Sequence, residues 1–146
     1  MRVDFYQLSR DPAELALPLI ARAALGAGER LLVVSADADQ LGRIDEALWT
    51  RLPDSFLAHG RQGTPADDRQ PILLSHSADA PGNGARFIAI ADGVWREGEP
   101  GFERTFLLFD EATVQGAREC WRMLGRREGI ERRFWKQQGG KWVEGP

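Results

Sequence analysis

Three arginines recur at every fourth residue late in the chain: Arg118, Arg122 and Arg126. Helical spacing places them on one face. Beside that face runs an apolar stripe of Val114, Ala117, Trp121 and Leu124, with Trp121 at the border between the two. Three kinds of chemistry fit this pattern. The arginines can simply complement the negative end of a helix while Trp121 packs in the core. They can instead rim a small apolar notch suited to an acidic peptide ending in a carboxylate. Or Trp121, Trp135 and Trp142 can stack single-stranded nucleic acid, with the arginines meeting its backbone.

A second segment carries aromatic residues at a border position. Ile44, Leu48 and Leu52 form an inward helical face, Trp49 lies one position beyond it, and Phe56 follows a turn in a short β-prone piece. Both rings can pack in the core, or together they can offer an apolar patch to a partner protein, for which tryptophan is an enriched anchor.

Other chemistry-bearing residues assemble less. Asp37 and Asp39 sit between a strand and a helix, where acids serve as N-caps more simply than as metal ligands. His59 and His76 lack the spacing of a metal pair or a catalytic dyad, and Ser35 has no nucleophile elbow around it. Cys120 falls mid-helix as a small core residue, although its arginine neighbours could lower its pKa. Two histidines and one cysteine do not make a structural zinc site. These residues predict no catalytic group, no metal and no cofactor.

The elements that position these residues follow from periodicity. Val3 to Leu8 reads as a buried strand. After a turn, with Asp11 as N-cap and Pro12 at the first helical position, a helix runs from Ala13 to Leu25 with Leu15, Leu19, Ile20 and Ala23 at helical spacing. Gly26 and Gly28 close it. Leu31 to Val34 is the continuous apolar run of a parallel strand covered on both faces, and Asp37 or Asp39 opens a helix through Trp49. Residues 59–71 and 77–85 are turn-rich. Strand candidates follow at Ile72 to Ser75, Arg86 to Ala91 and Thr105 to Phe109, then a helix capped by Asp110 and running to about Arg127. Ile130 to Val143 shows no clean period. The β-α-β-α start predicts an α/β fold over residues 1–146 as one domain, a mainly parallel sheet flanked by helices, nucleotide-binding-like (Rossmann-like). The turn after the first strand, LSRDPAE, has neither GxGxxG nor GxxxxGK, so there is no phosphate-binding loop. Gly82 and Gly84 lack a following helix.

Composition narrows the class. The chain has 146 residues, 42% hydrophobic and 28% charged, with a net charge of −3. That suits one globular domain of about 100–200 residues. No stretch approaches the roughly 20 apolar residues of a membrane span, the start does not read as a secretory signal, and one cysteine fits a reducing cytoplasm. Charge is unevenly placed: Arg118 to Lys141 holds eight basic and three acidic residues, a net +5, leaving −8 on the remainder. The overall sign argues against direct nucleic-acid binding.

The phrase RIDEALWTRLPDSFLAHG, Arg43 to Gly60, resembles the signature of the chi subunit family of bacterial DNA polymerase III. It matches an Asp–x–x–Leu–Trp block followed by Ser–Phe and a His three residues on. The opening FYQL strand and the LLVV strand agree, and ARECWRM (Ala117 to Met123) is similar to the family's late basic-aromatic helix. The resemblance covers most of residues 1–126. It implies a non-catalytic, cytoplasmic accessory subunit within a DNA-directed polymerase complex. Such a subunit links the clamp loader to single-stranded-DNA-binding protein by gripping that protein's acidic, phenylalanine-ended tail. On matching positions the tail site falls on Arg118, Trp121 and Arg122, with Leu107 helping to wall it. The surface for the psi subunit, or for an accessory helicase, falls on Trp49 and Phe56. The family often has tyrosine and lysine where this chain has Trp121 and Arg122, and proline where it has Ala58. No direct nucleic-acid or membrane contact is implied. The alternative is a single-stranded nucleic-acid-binding protein that uses the basic, aromatic C-terminal region.

Overall fold

The aromatic and β-branched run Arg2–Gln7 forms strand β1, and Ala13–Gly26 forms helix α1. The computed structural model describes residues 1–97, 101–138 and 141–145. The remaining elements are β2 (Leu31–Val34), α2 (Ala38–Thr50), β3 (His59–Arg61), β4 (Ile72–Ser75), β5 (Phe87–Ile90), β6 (Arg104–Phe109), α3 (Val114–Gly125), β7 (Glu131–Gln138) and β8 (Lys141–Glu144). The strands form one sheet in the order β3-β4-β2-β5-β6-β1-β7-β8. Every pairing is parallel except β7 with β8. The fold is therefore α/β, as the sequence pattern requires.

Alternation along the strands builds two cores. On one face Leu31, Val33, Ile72, Leu74 and Leu108 meet Leu17 and Ile20 of α1 and Leu41, Ile44 and Leu48 of α2. On the other, Leu32, Val34, Ile88, Ile90 and Leu107 meet Ala117, Cys120 and Leu124 of α3. Coverage of both faces explains why β2 reads as an unbroken apolar run.

Several local expectations are corrected. Pro12, not Asp11, occupies the N-cap of α1 and makes no side-chain cap bond. Asp11 instead accepts from Gln137 Nε2 at 2.9 Å, tying the turn to β7. The buried face of α1 is Ala13, Ala16, Leu17, Ile20, Ala21 and Ala24, while Leu19 is 37% exposed. Four small alanines on that face let the helix approach the sheet, while Leu15 is half-buried and Leu19 and Ala23 are turned to the outside. The helix closes as expected: Gly28 holds φ +79°, a left-handed conformation that costs glycine little. Asp37 is the N-cap of α2, accepting from the backbone N–H of Asp39 and Gln40. Asp110 does not cap α3; it accepts from Ala112 and Thr113 in the preceding turn, and the helix runs from Val114 to Gly125 rather than to Arg127. The segment from Ile130, which lacks a period, forms the β7–β8 hairpin. Its strands are only half-covered, so their faces do not separate into apolar and polar sets.

Among the described residues one carboxylate is completely buried. Asp4 of β1 accepts from Arg104 Nε (2.8 Å), Arg2 Nη2 (3.0 Å) and Trp135 Nε1 (3.0 Å), clamping β1 to both neighbours, β6 and β7. Burial alone would raise this carboxyl's pKa. The bonds from Arg2, Trp135 and Arg104 outweigh it and hold the pKa below the ordinary range.

Candidate functional site

In a parallel sheet the crevice at the carboxyl ends of the strands is the usual nucleotide site. Here the charged groups lining that crevice are Glu14, Asp37, Asp92 and Asp110 with one cation, Arg43, which is already paired with Glu14 at 2.8 Å. Two N–H groups of the α2 N-terminus are already taken by Asp37. Asp92 accepts from Ala36 N at 2.9 Å and pairs with Arg96 at 2.7 Å. Burial pushes its carboxyl up, but those bonds more than offset it and leave the pKa lowered. A phosphate would therefore meet carboxylates. Asp37 acts as a cap, and among the described residues no group of three His, Cys, Asp or Glu could hold a metal ion. No helix among them is long and apolar enough to cross a membrane.

The late arginine-tryptophan pattern does converge on a cavity. It is about 270 Å³ and lies between α3 and the β1–β7 part of the sheet. Phe5 and Gln7 of β1, Phe109 of β6 and Phe134 of β7 supply the sheet side. Ala117, Trp121, Arg118 and Arg122 supply the helix side. Register explains the grouping: Phe5 pairs with Phe134, and Gln7 pairs with Phe109. Because β1 joins β6 to β7, three strands far apart in sequence send aromatic side chains to one place. Leu107, expected to help wall this site, does not line it. It pairs with Phe5 in the sheet, is fully buried under α3, and Phe5 and Phe109 take the place assigned to it.

The cavity combines an apolar floor with free charge at its rim. Phe5 meets Trp121 edge-on with ring centroids 5.1 Å apart, and Phe134 closes the other side at 6.4 Å. Arg118 and Arg122 are exposed, and among the described residues neither has a carboxylate within 4.0 Å. Three other members of the basic cluster are occupied, whereas Arg126 and Lys136, which do not line the cavity, likewise have no carboxylate within 4.0 Å among the described residues. Arg127 binds Glu97 at 2.7 Å, and Arg133 binds Glu131 at 3.0 Å. Arg132 lies with its guanidinium carbon 4.2 Å from the Trp121 ring centre. The sequence reading did not single out Phe5, Phe109, Phe134 and Arg132 for this site, because each belongs to a strand whose neighbour is set by topology rather than by spacing.

Trp135 and Trp142 lie elsewhere. Both pack beside Tyr6 on the α1 face of the sheet, opposite the face that carries α3 and Trp121. The three tryptophans therefore form no common stacking platform. Cys120 is buried, and its thiol is pushed up to about 12, mainly by burial and further by the charge of Glu97. That is the reverse of the shift its arginine neighbours suggested, and it removes the thiolate a nucleophile needs.

The second aromatic pair is exposed. Trp49 is 50% and Phe56 81% accessible, their ring centroids 6.0 Å apart. Phe56 lies in an irregular segment after α2, not in a strand. Trp49 also packs against buried His59, with centroids at 4.3 Å and the ring planes tilted by 44°. The two ring nitrogens of His59 each lie 2.7 Å from a partner: the Leu57 carbonyl and an Asp45 carboxylate oxygen. His59 is thus a structural post beneath Trp49. His76 lies apart, with Nδ1 3.2 Å from the Ser35 carbonyl.

Comparison with curated proteins finds no match. A family model described as DNA polymerase III chi subunit, HolC, matches residues 1–133, from β1 through α3 into β7. That span is nearly the whole chain, and it includes the exposed Trp49–Phe56 pair and every lining residue of the arginine-rimmed cavity except Phe134. The chain belongs to the DNA polymerase III chi subunit family, an accessory subunit of the replication machinery.

Proposed function

We propose that the cavity between α3 and the sheet binds the acidic, phenylalanine-ended C-terminal tail of single-stranded-DNA-binding protein. In doing so the chain links that protein to the clamp loader of DNA polymerase III. The observation that carries this reading is the coincidence of an aromatic floor with two arginines that have no acidic partner among the described residues. Phe5, Phe134 and Trp121 suit a terminal aromatic ring, while Arg118 and Arg122 suit carboxylates. A tail ending in phenylalanine supplies both, and a guanidinium can bind its terminal carboxylate in bidentate fashion. The subunit in this reading is a non-catalytic adaptor acting in the cytoplasm.

The exposed Trp49–Phe56 pair serves, in the same reading, as the surface for the psi subunit or for an accessory helicase. Two large aromatic rings left half or more accessible are the type of anchor that protein partners bury.

Isothermal titration with the tail peptide of the host's single-stranded-DNA-binding protein tests the main reading. Micromolar binding is expected, lost when the terminal phenylalanine is removed or its carboxylate amidated. Equal affinity for the amidated peptide, or no binding beside tight binding of an oligonucleotide, would refute it. The Trp49 and Phe56 surface is tested by co-purification, and a double alanine variant that keeps every native partner rules it out.

A further inference from the structure

We propose that Arg132 and Gly125 together brace the Trp121 ring and so set the shape of the cavity wall. Arg132 does not line the cavity. Its side chain crosses from β7 to the last turn of α3, where Nη1 donates to the Trp121 carbonyl at 2.6 Å. From there its guanidinium lies over the Trp121 ring, 4.2 Å from the centre. One side chain thus holds both the backbone and the ring of the same residue.

The brace depends on a missing atom. A Cβ at Gly125 would fall 2.7 Å from Arg132 Nη1 and 2.9 Å from Cζ. Gly125 is the last residue of α3 and has no positive φ, so no backbone conformation calls for glycine there. Helix propensity alone favours alanine over glycine within a helix. The close approach of the guanidinium supplies the reason for the glycine. The position also suits a cation, since the negative end of the α3 dipole lies beside it.

With Arg132 on its face and the edges of Phe5 and Phe134 around it, the ring has little freedom to rotate. Its presented surface is therefore formed before any ligand arrives, which reduces the ordering cost of binding. Arg132 is a positioning residue acting through Trp121. The consequence for binding rests on the tail-binding reading; the brace itself does not.

The test uses the full chain labelled with 5-fluorotryptophan, with the Trp121 signal assigned by its loss in Trp121→Phe. In Arg132→Met the Trp121 fluorine resonance should shift and broaden, while those of Trp49 and Trp95 stay in place. Gly125→Ala should move the same resonance with Arg132 intact, in a helix at least as well formed, and should add nothing in the Arg132→Met background. Arg132→Lys, which keeps the charge but not the planar fork, should restore the resonance only in part. Tail-peptide affinity should fall about two- to fivefold in Arg132→Met, the scale of a partly exposed cation–π contact. An unmoved Trp121 resonance in both Arg132→Met and Gly125→Ala overturns the brace. A moved resonance with unchanged affinity overturns its role in binding. If the wild-type chain binds no peptide, the tail reading fails while the fluorine spectra still decide the brace.

Discussion

Removal of the rim charges is the most direct perturbation of the proposed site. Arg118 and Arg122 are one helical turn apart, exposed, and without an acidic partner among the described residues. Truncating either leaves no buried group unsatisfied, so the free protein should keep its melting temperature within about 2 °C. The effect falls on the complex. A unit charge pair at 4 Å contributes about 1 kcal/mol in water and about 4 kcal/mol at an effective dielectric of 20. Exposure places these two near the aqueous end. Each alanine substitution should therefore weaken the tail peptide by about 1–1.5 kcal/mol, roughly five- to tenfold. The double variant should lose about 1.5–2.5 kcal/mol, short of strict additivity because both charges act on one small ligand. Calorimetric titration at two ionic strengths supplies the check. Between about 0.1 M and 1 M salt the Debye length shrinks from about 10 Å to about 3 Å, so wild-type affinity should fall toward that of the double variant. A folded double variant with wild-type affinity, or wild-type affinity indifferent to salt, would refute the argument.

Other expectations concern the scaffold. Asp4→Asn puts an amide donor against Arg104 Nε and removes the charge that pairs with Arg2 and Arg104. Both arginines keep about 30% of their side chains accessible. The cost should thus be near the lower end for a broken buried pair, about 3 kcal/mol, which thermal unfolding would read as a drop of roughly 6–12 °C. Since the Asp4 pKa is lowered in the folded state, its stabilisation is present above the unfolded value of 3.8 and lost as pH falls through the folded value. Asp4→Asn should accordingly flatten the acid limb of the stability curve below about pH 4. Cys120 should resist an alkylating reagent at pH 8 in the native state and react once the chain is unfolded in denaturant. Phe56→Ala should change stability by less than about 0.5 kcal/mol, while Trp49→Ala should cost about 1 kcal/mol for the lost packing against His59.

How much of this was readable in the sequence depends on which interactions are local. An aspartate cap on α2, at Asp37 or Asp39, the glycine stop after α1 and the doubly covered β2 run are decided within a few residues and are visible there; only the structure selects Asp37. The border position of Trp121 on α3 is likewise local, because helical spacing alone defines it. The rest of the cavity is not local. Phe5 and Phe134 are 129 positions apart, and only the insertion of β1 between β6 and β7 makes them neighbours. The β7–β8 hairpin has no clean period because neither face is fully covered, so the source of Phe134 and Arg132 looks irregular. Leu107 illustrates the converse error. It lies on the same strand and the same face as Phe109, yet two residues back along β6, where it is fully buried in the core beneath α3, and depth below α3 is invisible to periodicity.

The placement of the two surfaces bears on how an adaptor can work. Trp49 and Phe56 sit at the end of α2, beside the β3 edge of the sheet, whereas the cavity lies under α3 on the opposite face, against β1 and β7. Six strand spacings of about 4.8 Å separate β3 from β7, close to 30 Å, three times the Debye length near 0.1 M salt. The strands between them are largely buried, so a second arrangement that one ligand could favour would cost packing on both faces of the sheet. Coupling between the two surfaces should be absent. In a Trp49→Ala, Phe56→Ala double variant the tail-peptide affinity should stay within about twofold of wild type, the margin within which distant sites add. A larger change would mean that binding at one edge is transmitted across the sheet, and the chain would then be a switch between partners rather than a bridge that holds both at once.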